Sequence, residues 1–179
     1  MKTRNLKGML FVLISMLIFS GVNTLVKDTA QHFPIWQLVF CRMFFAAFPG
    51  LGLLALKGEL GSLRENIPFK SFMILGSGVA VALFLLFQAF QHLPLADATS
   101  IGYSAILFIT LFSWPLLNEP VEWQRGLAIF IGFMGVIIVA EPSGDFSWYS
   151  LCAIGFALLD ALLLIMTRIL GRNHSAAVI

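Results

Sequence analysis

Two charged side chains, Arg42 and Asp160, lie in the middle of long apolar runs of the sequence. A charge in the hydrocarbon of a bilayer costs about 2.5–3.5 kcal/mol on insertion scales, so such residues normally face a protein interior or an aqueous cavity. At 1.5 Å per helical residue, Arg42 lies roughly 10 Å and Asp160 roughly 20 Å from the boundary where their runs begin. We expect one or both to contact a substrate or a coupling proton. The alternative is a structural ion pair or a hydrogen-bonded interior charge.

Three uncharged polar residues, Asn23, Gln88 and Tyr103, also fall within apolar runs and form a second group of substrate-contact candidates. Polar side chains in membrane helices often hydrogen-bond a neighbouring helix, which contributes about 0.6 kcal/mol on average. Helix association therefore competes with substrate contact as the role of these three residues.

Residues that could form a catalytic or metal site are few and scattered. The three histidines, His32, His92 and His174, lie in connections or at the terminus, and none has a plausible pairing with a Ser or Cys nucleophile. Cys41 and Cys152 each lie in an apolar run, without the spacing of a metal site or a disulfide framework. We therefore predict no enzyme active site, no bound metal and no cofactor.

The composition indicates a membrane protein. Of 179 residues, 59% are apolar and only 11% are charged, and the mean hydropathy is +0.94. A soluble domain has roughly a quarter of its residues charged, so lipid must face much of this chain. The net charge of +2 comes without a basic cluster, which argues against nucleic acid as a partner.

The apolar runs predict an all-α, polytopic integral membrane protein with about six spans. A span needs about 20 mostly apolar residues, and the runs lack the alternation of a membrane barrel. The predicted spans are residues 8–26, 35–56, 69–90, 96–117, 126–140 and 148–170. The fifth is short enough to suit a buried or re-entrant helix as well.

The distribution of Lys and Arg predicts the orientation. Nine of the 11 cations fall on the side of the N-terminus, whereas the opposite side carries Lys27 alone and Arg42 lies within a span. The positive-inside rule then places the N-terminus in the cytoplasm. We expect a multi-pass protein of the cell membrane, namely a bacterial inner membrane.

An internal repeat is suggested by a shift of 141 residues. This shift aligns Leu10 with Leu151, Leu17 with Leu158 and Lys27 with Arg168, so that span six matches span one. Because five spans are an odd number, a second copy would insert inverted. Inverted repeats are a common transporter design, with the substrate site near the midplane.

Several motifs then follow in a characteristic order. Residues 88–98 (Gln-Ala-Phe-Gln-His-Leu-Pro-Leu-Ala-Asp-Ala) lead into a span that closes with Leu-Asn-Glu-Pro at 117–120, and a glycine-dotted span follows at 126–136. In this order the sequence resembles the repeat unit of the drug/metabolite transporter superfamily, EamA type, in which Arg42 matches an arginine common in the second span. Glu119 belongs to this motif, and we expect it to order the turn beside Pro120.

The resemblance implies a fold of ten spans in two inverted five-span repeats. Residues 1–141 would be the first repeat, and 142–179 would be the sixth span and the beginning of a seventh. We expect the chain to be a fragment of a longer protein; the alternative is a truncated product that pairs with another copy as a homodimer.

The leading functional prediction is transport of a small metabolite, amino-acid-like or otherwise polar, by alternating access with Asp160 or Arg42 changing partners. One alternative is a small multidrug-type exporter, although such proteins typically carry a carboxylate in span one, where Asn23 stands here. The other is a non-transporting accessory subunit.

We attribute Gly76, Gly78, Gly126, Gly132 and Gly135 to close helix packing.

Overall fold

The computed structural model describes residues 2–57, 69–117, 123–140 and 147–171, and these residues form helices joined by short connections. The helices are α1 (Lys2–Ala30), α2 (Ile35–Lys57), α3 (Phe69–His92), α4 (Leu95–Gly102), α5 (Ala105–Leu117), α6 (Trp123–Ala140) and α7 (Trp148–Leu170). The predicted turn at Glu119 and Pro120 and the terminal His174 lie outside the described residues.

Helices long and apolar enough to cross a membrane confirm the predicted class. Among the described residues, four segments qualify by length and composition: Gly8–Ala30, Lys70–His92, Leu95–Ser113 and Trp148–Leu170. Two shorter apolar helices, Ile35–Gly50 and Gly126–Ile138, correspond to the predicted second and fifth spans. The protein is therefore an all-helical, multi-pass membrane protein.

The fourth span differs from the prediction of one continuous helix, because it breaks at Tyr103 and Ser104 into α4 and α5. At the break the backbone bonds tighten to three-residue spacing: the Ser104 amide donates to the Ile101 carbonyl at 3.0 Å, and the Ile106 amide donates to the Tyr103 carbonyl at 3.2 Å. Such tight turns allow a helix to change direction without losing its hydrogen bonds. Hydropathy could not reveal this, since the apolar run continues through the break.

The antiparallel pair α3 and α7 forms the centre of the bundle. His92 at the end of α3 stacks on Tyr149 at the start of α7, with ring centroids 3.7 Å apart. Farther along the pair, Leu85 packs on Gly155, and Gly78 packs on Leu163. Positions 78, 85 and 92 are seven residues apart, which is the spacing of helices that cross at a shallow angle.

Small residues make this close approach feasible. Ala153, Ala157 and Ala161 are fully buried at four-residue intervals along α7, which is the small-residue pattern of membrane helix interfaces. A Cβ on Gly78 would lie 2.6 Å from Leu163, so this glycine serves packing as predicted.

The other glycines divide into two groups. Gly132 of α6 lies against Leu107 of α5, where an added Cβ would come within 2.8 Å. By contrast, a Cβ on Gly76, Gly126 or Gly135 would meet no atom of the described chain within 4 Å, so the packing role predicted for these three is wrong within the described bundle.

One end of the bundle is held by hydrogen bonds between α1 and α3; we name it the Lys27 end. The Lys27 ammonium donates to the carbonyls of Phe90 at 3.0 Å and Leu93 at 2.6 Å, and the Gln91 amide donates to the carbonyl of Ala30 at 2.9 Å. The last carbonyls of a helix lack partners within the helix, and a cation at that end is also favoured by the helix dipole. Together with the stacking of His92 on Tyr149, these bonds connect α3 to both α1 and α7.

Candidate functional site

A cavity of about 170 Å³ lies among α1, α3, the α4–α5 break and α7. Its lining is mostly aromatic and aliphatic, with a few polar groups. The lining residues are Phe19, Asn23, Leu86, Phe90, Thr99, Gly102, Tyr103, Ala105, Ile106, Ile109, Phe156, Asp160 and Leu164. A concave apolar site with a few convergent polar groups is the usual form of a small-molecule site.

Three of the five residues selected from the sequence meet here: Asn23, Tyr103 and Asp160. They come from α1, the helix break and α7, which are far apart in the sequence. Asp160 is half-buried, and in the described part of the chain it forms no hydrogen bond or ion pair. Its carboxylate is therefore available to a ligand in the cavity.

Asn23 contributes a second acceptor. Its side chain is 4% exposed, and its Oδ1 has no hydrogen-bond partner among the described residues. A buried polar atom without a partner costs about 1–3 kcal/mol, and buried polar groups are hydrogen-bonded in the great majority of cases. An orphaned oxygen at a cavity wall therefore indicates a place where a bound molecule or water completes the hydrogen bond.

The helix break shapes one wall. Gly102 approaches Phe156 so closely that an added Cβ would lie 3.3 Å from the ring. Tyr103 follows in the turn and is 56% exposed, so its ring can face the cavity rather than the packed core. Beside it Ser104 is buried, and its hydroxyl also lacks a partner within the described ranges. The break thus brings Tyr103 to an otherwise largely apolar wall, whereas Ser104 lies behind it and does not line the cavity.

Arg42 does not line the cavity and forms no ion pair with Asp160. Its guanidinium carbon lies 5.8 Å from the ring centroids of both Phe19 and Phe87. Phe19 is also a lining residue, so it contacts Arg42 and the cavity at once. One guanidinium nitrogen of Arg42 is buried and has no hydrogen-bond partner among the described residues. The cation is therefore held by aromatic faces beside the site.

Gln88 is half-buried on α3 and lies outside the cavity lining. Three phenylalanines of the lining, Phe19, Phe90 and Phe156, were not among the candidates selected from the sequence. No local signal separates a lining phenylalanine from a lipid-facing one such as Phe11, which is 73% exposed. In the described ranges, no three His, Cys, Asp or Glu side chains converge as metal ligands would.

Comparison with known proteins identifies transporters as relatives. The pseudopaline exporter CntI of Pseudomonas aeruginosa is 29% identical over 171 residues, covering 94% of this chain and 58% of that protein. The S-adenosylmethionine uptake transporter of Rickettsia bellii is 28% identical over 161 residues, covering 86% and 54%. Solute carrier family 35 member G1 of Mus musculus is 34% identical over 182 residues, covering 93% and 48%.

The chain thus spans about half the length of these relatives. No solved structure matches it. The EamA-like transporter family matches residues 6–140, which covers α1 to α6 and includes Arg42, Asn23 and the helix break, and the chain belongs to this family.

Proposed function

We propose that the protein transports a small organic metabolite across a membrane by alternating access, and that the cavity beside Asp160 is its substrate site. The observation that carries the proposal is the convergence of Asn23, Tyr103 and Asp160 on one cavity of a helical bundle. Ionisable residues at membrane depth typically mark substrate or ion pathways. Membership of a transporter family supports transport rather than catalysis.

The contacts at the Lys27 end support a conformational cycle. Hydrogen bonds join α1 to α3, and the His92–Tyr149 stack joins α3 to α7, so the three helices are drawn together there. These contacts are polar or aromatic and lie near helix ends, where they can break without exposing the packed core. We propose that they hold one closed state and that substrate enters and leaves as this end separates and re-forms.

Asp160 and Arg42 have separate roles in this proposal. Asp160 contacts the substrate or a coupling proton within the cavity. Arg42 rests between Phe19 and Phe87 with a nitrogen unpartnered among the described residues, and it gains a partner in another state when Phe19 moves with its helix. Residue pairs that change partners between states are a common basis of switching.

We further propose the topology predicted from the sequence. Residues 1–141 form one five-helix repeat, supported by the family match to residues 6–140. α7 begins an inverted second repeat, supported by its antiparallel packing on α3. The Lys and Arg distribution favours a cytoplasmic N-terminus, and bacterial relatives favour the inner membrane.

A flux measurement in proteoliposomes tests the function. The full-length protein is reconstituted, and the uptake of radiolabelled S-adenosylmethionine, amino acids and amines is followed. We expect at least a tenfold loss of flux in Asp160→Asn and a smaller loss in Arg42→Ala. Asp28→Asn is the matched control, because this exposed carboxylate lies on α1 outside the cavity.

Two outcomes would contradict the proposal in different ways. Unchanged flux in both variants would remove the roles assigned to Asp160 and Arg42. If the correctly folded, unaltered protein moved none of these compounds, the accessory-subunit alternative would be favoured over transport.

A further inference from the structure

We infer that the cavity takes an organic cation: a compact ammonium or other onium group attached to an apolar body, without a carboxylate. The inference rests on the proposed function insofar as the same cavity is the transport site, and it specifies the substrate class. It is carried by the charge, the hydrogen-bonding groups and the aromatic faces of the lining.

The charge of the lining is negative. Asp160 is the charged residue among those that line the cavity, and it has no partner in the described part of the chain. The neighbouring cation, Arg42, packs against the rings of Phe19 and Phe87 and does not line the cavity. Within the described part of the chain, a zwitterion would therefore find a partner for its ammonium group but no matching cation for its carboxylate.

The hydrogen-bonding groups agree with the charge. Two acceptors of the lining have no partner in the described chain, namely the Asp160 carboxylate and the Asn23 Oδ1. The Thr99 hydroxyl already donates to the carbonyl of Leu95 at 2.7 Å. The donors that remain in the lining, the Tyr103 hydroxyl and the Asn23 amide nitrogen, are neutral.

Most backbone donors at the start of α5 are already occupied. Helix N-termini bind anions when their amide groups are free. Here the amides of Tyr103, Ser104, Ile106, Leu107 and Phe108 all donate to carbonyls within the chain at 2.9–3.2 Å. The tight turn that breaks the fourth span thus occupies these five amide donors, which a carboxylate could otherwise use.

Aromatic rings supply the remaining attraction. Phe19, Phe90, Tyr103 and Phe156 all line the cavity. Cations are attracted to the faces of such rings, most strongly where water is excluded, and aromatic cages are a known means of binding onium groups. The site therefore combines one carboxylate with four aromatic rings around a cavity of about 170 Å³.

A matched set of three ligands tests the inference by binding. Phenethylamine, phenylalanine and 3-phenylpropanoate share one ring and differ in carrying an amine, both groups, or a carboxylate. Calorimetry on the full-length protein in lipid nanodiscs is expected to show phenethylamine binding at least tenfold more tightly than phenylalanine, with no binding of 3-phenylpropanoate. Asp160→Asn should weaken phenethylamine binding at least tenfold, and Asp28→Asn should leave it unchanged.

A second variant distinguishes the loss of a ligand contact from the loss of the folded structure. Phe156→Leu keeps every charge and removes one ring, and we expect it to weaken phenethylamine binding about threefold to tenfold. Phenylalanine or 3-phenylpropanoate binding as tightly as phenethylamine would overturn the inference, as would unchanged phenethylamine binding in a folded Asp160→Asn. Because the assay measures binding and not flux, these results would leave the transport proposal unaffected. A protein that binds phenethylamine but transports no substrate would contradict the transport proposal and not the inference on the ligand.

Discussion

The bonds from Lys27 to the end of α3 are expected to stabilise the bundle measurably. Lys27→Met keeps the apolar stem and removes the ammonium group, which donates to the carbonyls of Phe90 and Leu93 at 3.0 and 2.6 Å. Hydrogen bonds to charged groups contribute about 1.5–3 kcal/mol each. Lys27 is only partly buried, and water can replace part of what is lost at a helix end. We therefore expect Lys27→Met to lower the free energy of unfolding by about 2 kcal/mol.

The assay is unfolding by sodium dodecyl sulfate in mixed micelles, followed by tryptophan fluorescence. Lys70→Met is the matched control, because Lys70 is an exposed lysine at the opposite end of α3. Gln91→Leu removes the reciprocal bond to Ala30 and should cost about 1 kcal/mol. Since both bonds hold the same two helices, the double variant should show a coupling of at least about 0.5 kcal/mol. Equal stability of Lys27→Met and Lys70→Met would refute the reasoning.

Two further predictions concern packing and the aromatic contacts of the buried arginine. Gly78→Val inserts methyl groups against Leu163 and should lower the free energy of unfolding by about 1–3 kcal/mol. Gly76→Val is the control and should change this free energy little, because a side chain at position 76 meets open space. Equal losses in the two variants would show that α3 and α7 do not pack as described. Phe19→Leu should weaken phenethylamine binding because Phe19 lines the cavity, while Phe87→Leu, outside the lining, should mainly lower stability because Phe87 is fully buried. A loss of affinity that is as large in Phe87→Leu would contradict this division.

The sequence by itself determined the class, the number of spans and the family. All three follow from the local sequence, without knowledge of tertiary contacts. For example, a segment needs about 20 apolar residues to cross a bilayer, whichever helices it packs against. The cost of a charge in hydrocarbon likewise marks Arg42 and Asp160 without knowledge of the fold. The order of motifs indicated the EamA family, and the match to residues 6–140 confirmed the family.

The tertiary structure alone decided which polar residues meet. Asn23, Tyr103 and Asp160 share one cavity, whereas Gln88 and Arg42 do not line it, and neither group of sequence candidates separates the residues in this way. The break at Tyr103 and Ser104 was equally hidden, because it interrupts the helix without interrupting the apolar run.

The physical reason is that convergence depends on helix rotation and register. These are set by contacts between residues distant in the sequence, such as Gly78 with Leu163 and Lys27 with Leu93. A rotation of one helix would turn Asp160 from the cavity to lipid while leaving every local property of its segment unchanged. The sequence thus identified the residues able to do chemistry, and packing determined that Asp160 faces a cavity while Arg42 rests on aromatic rings beside it.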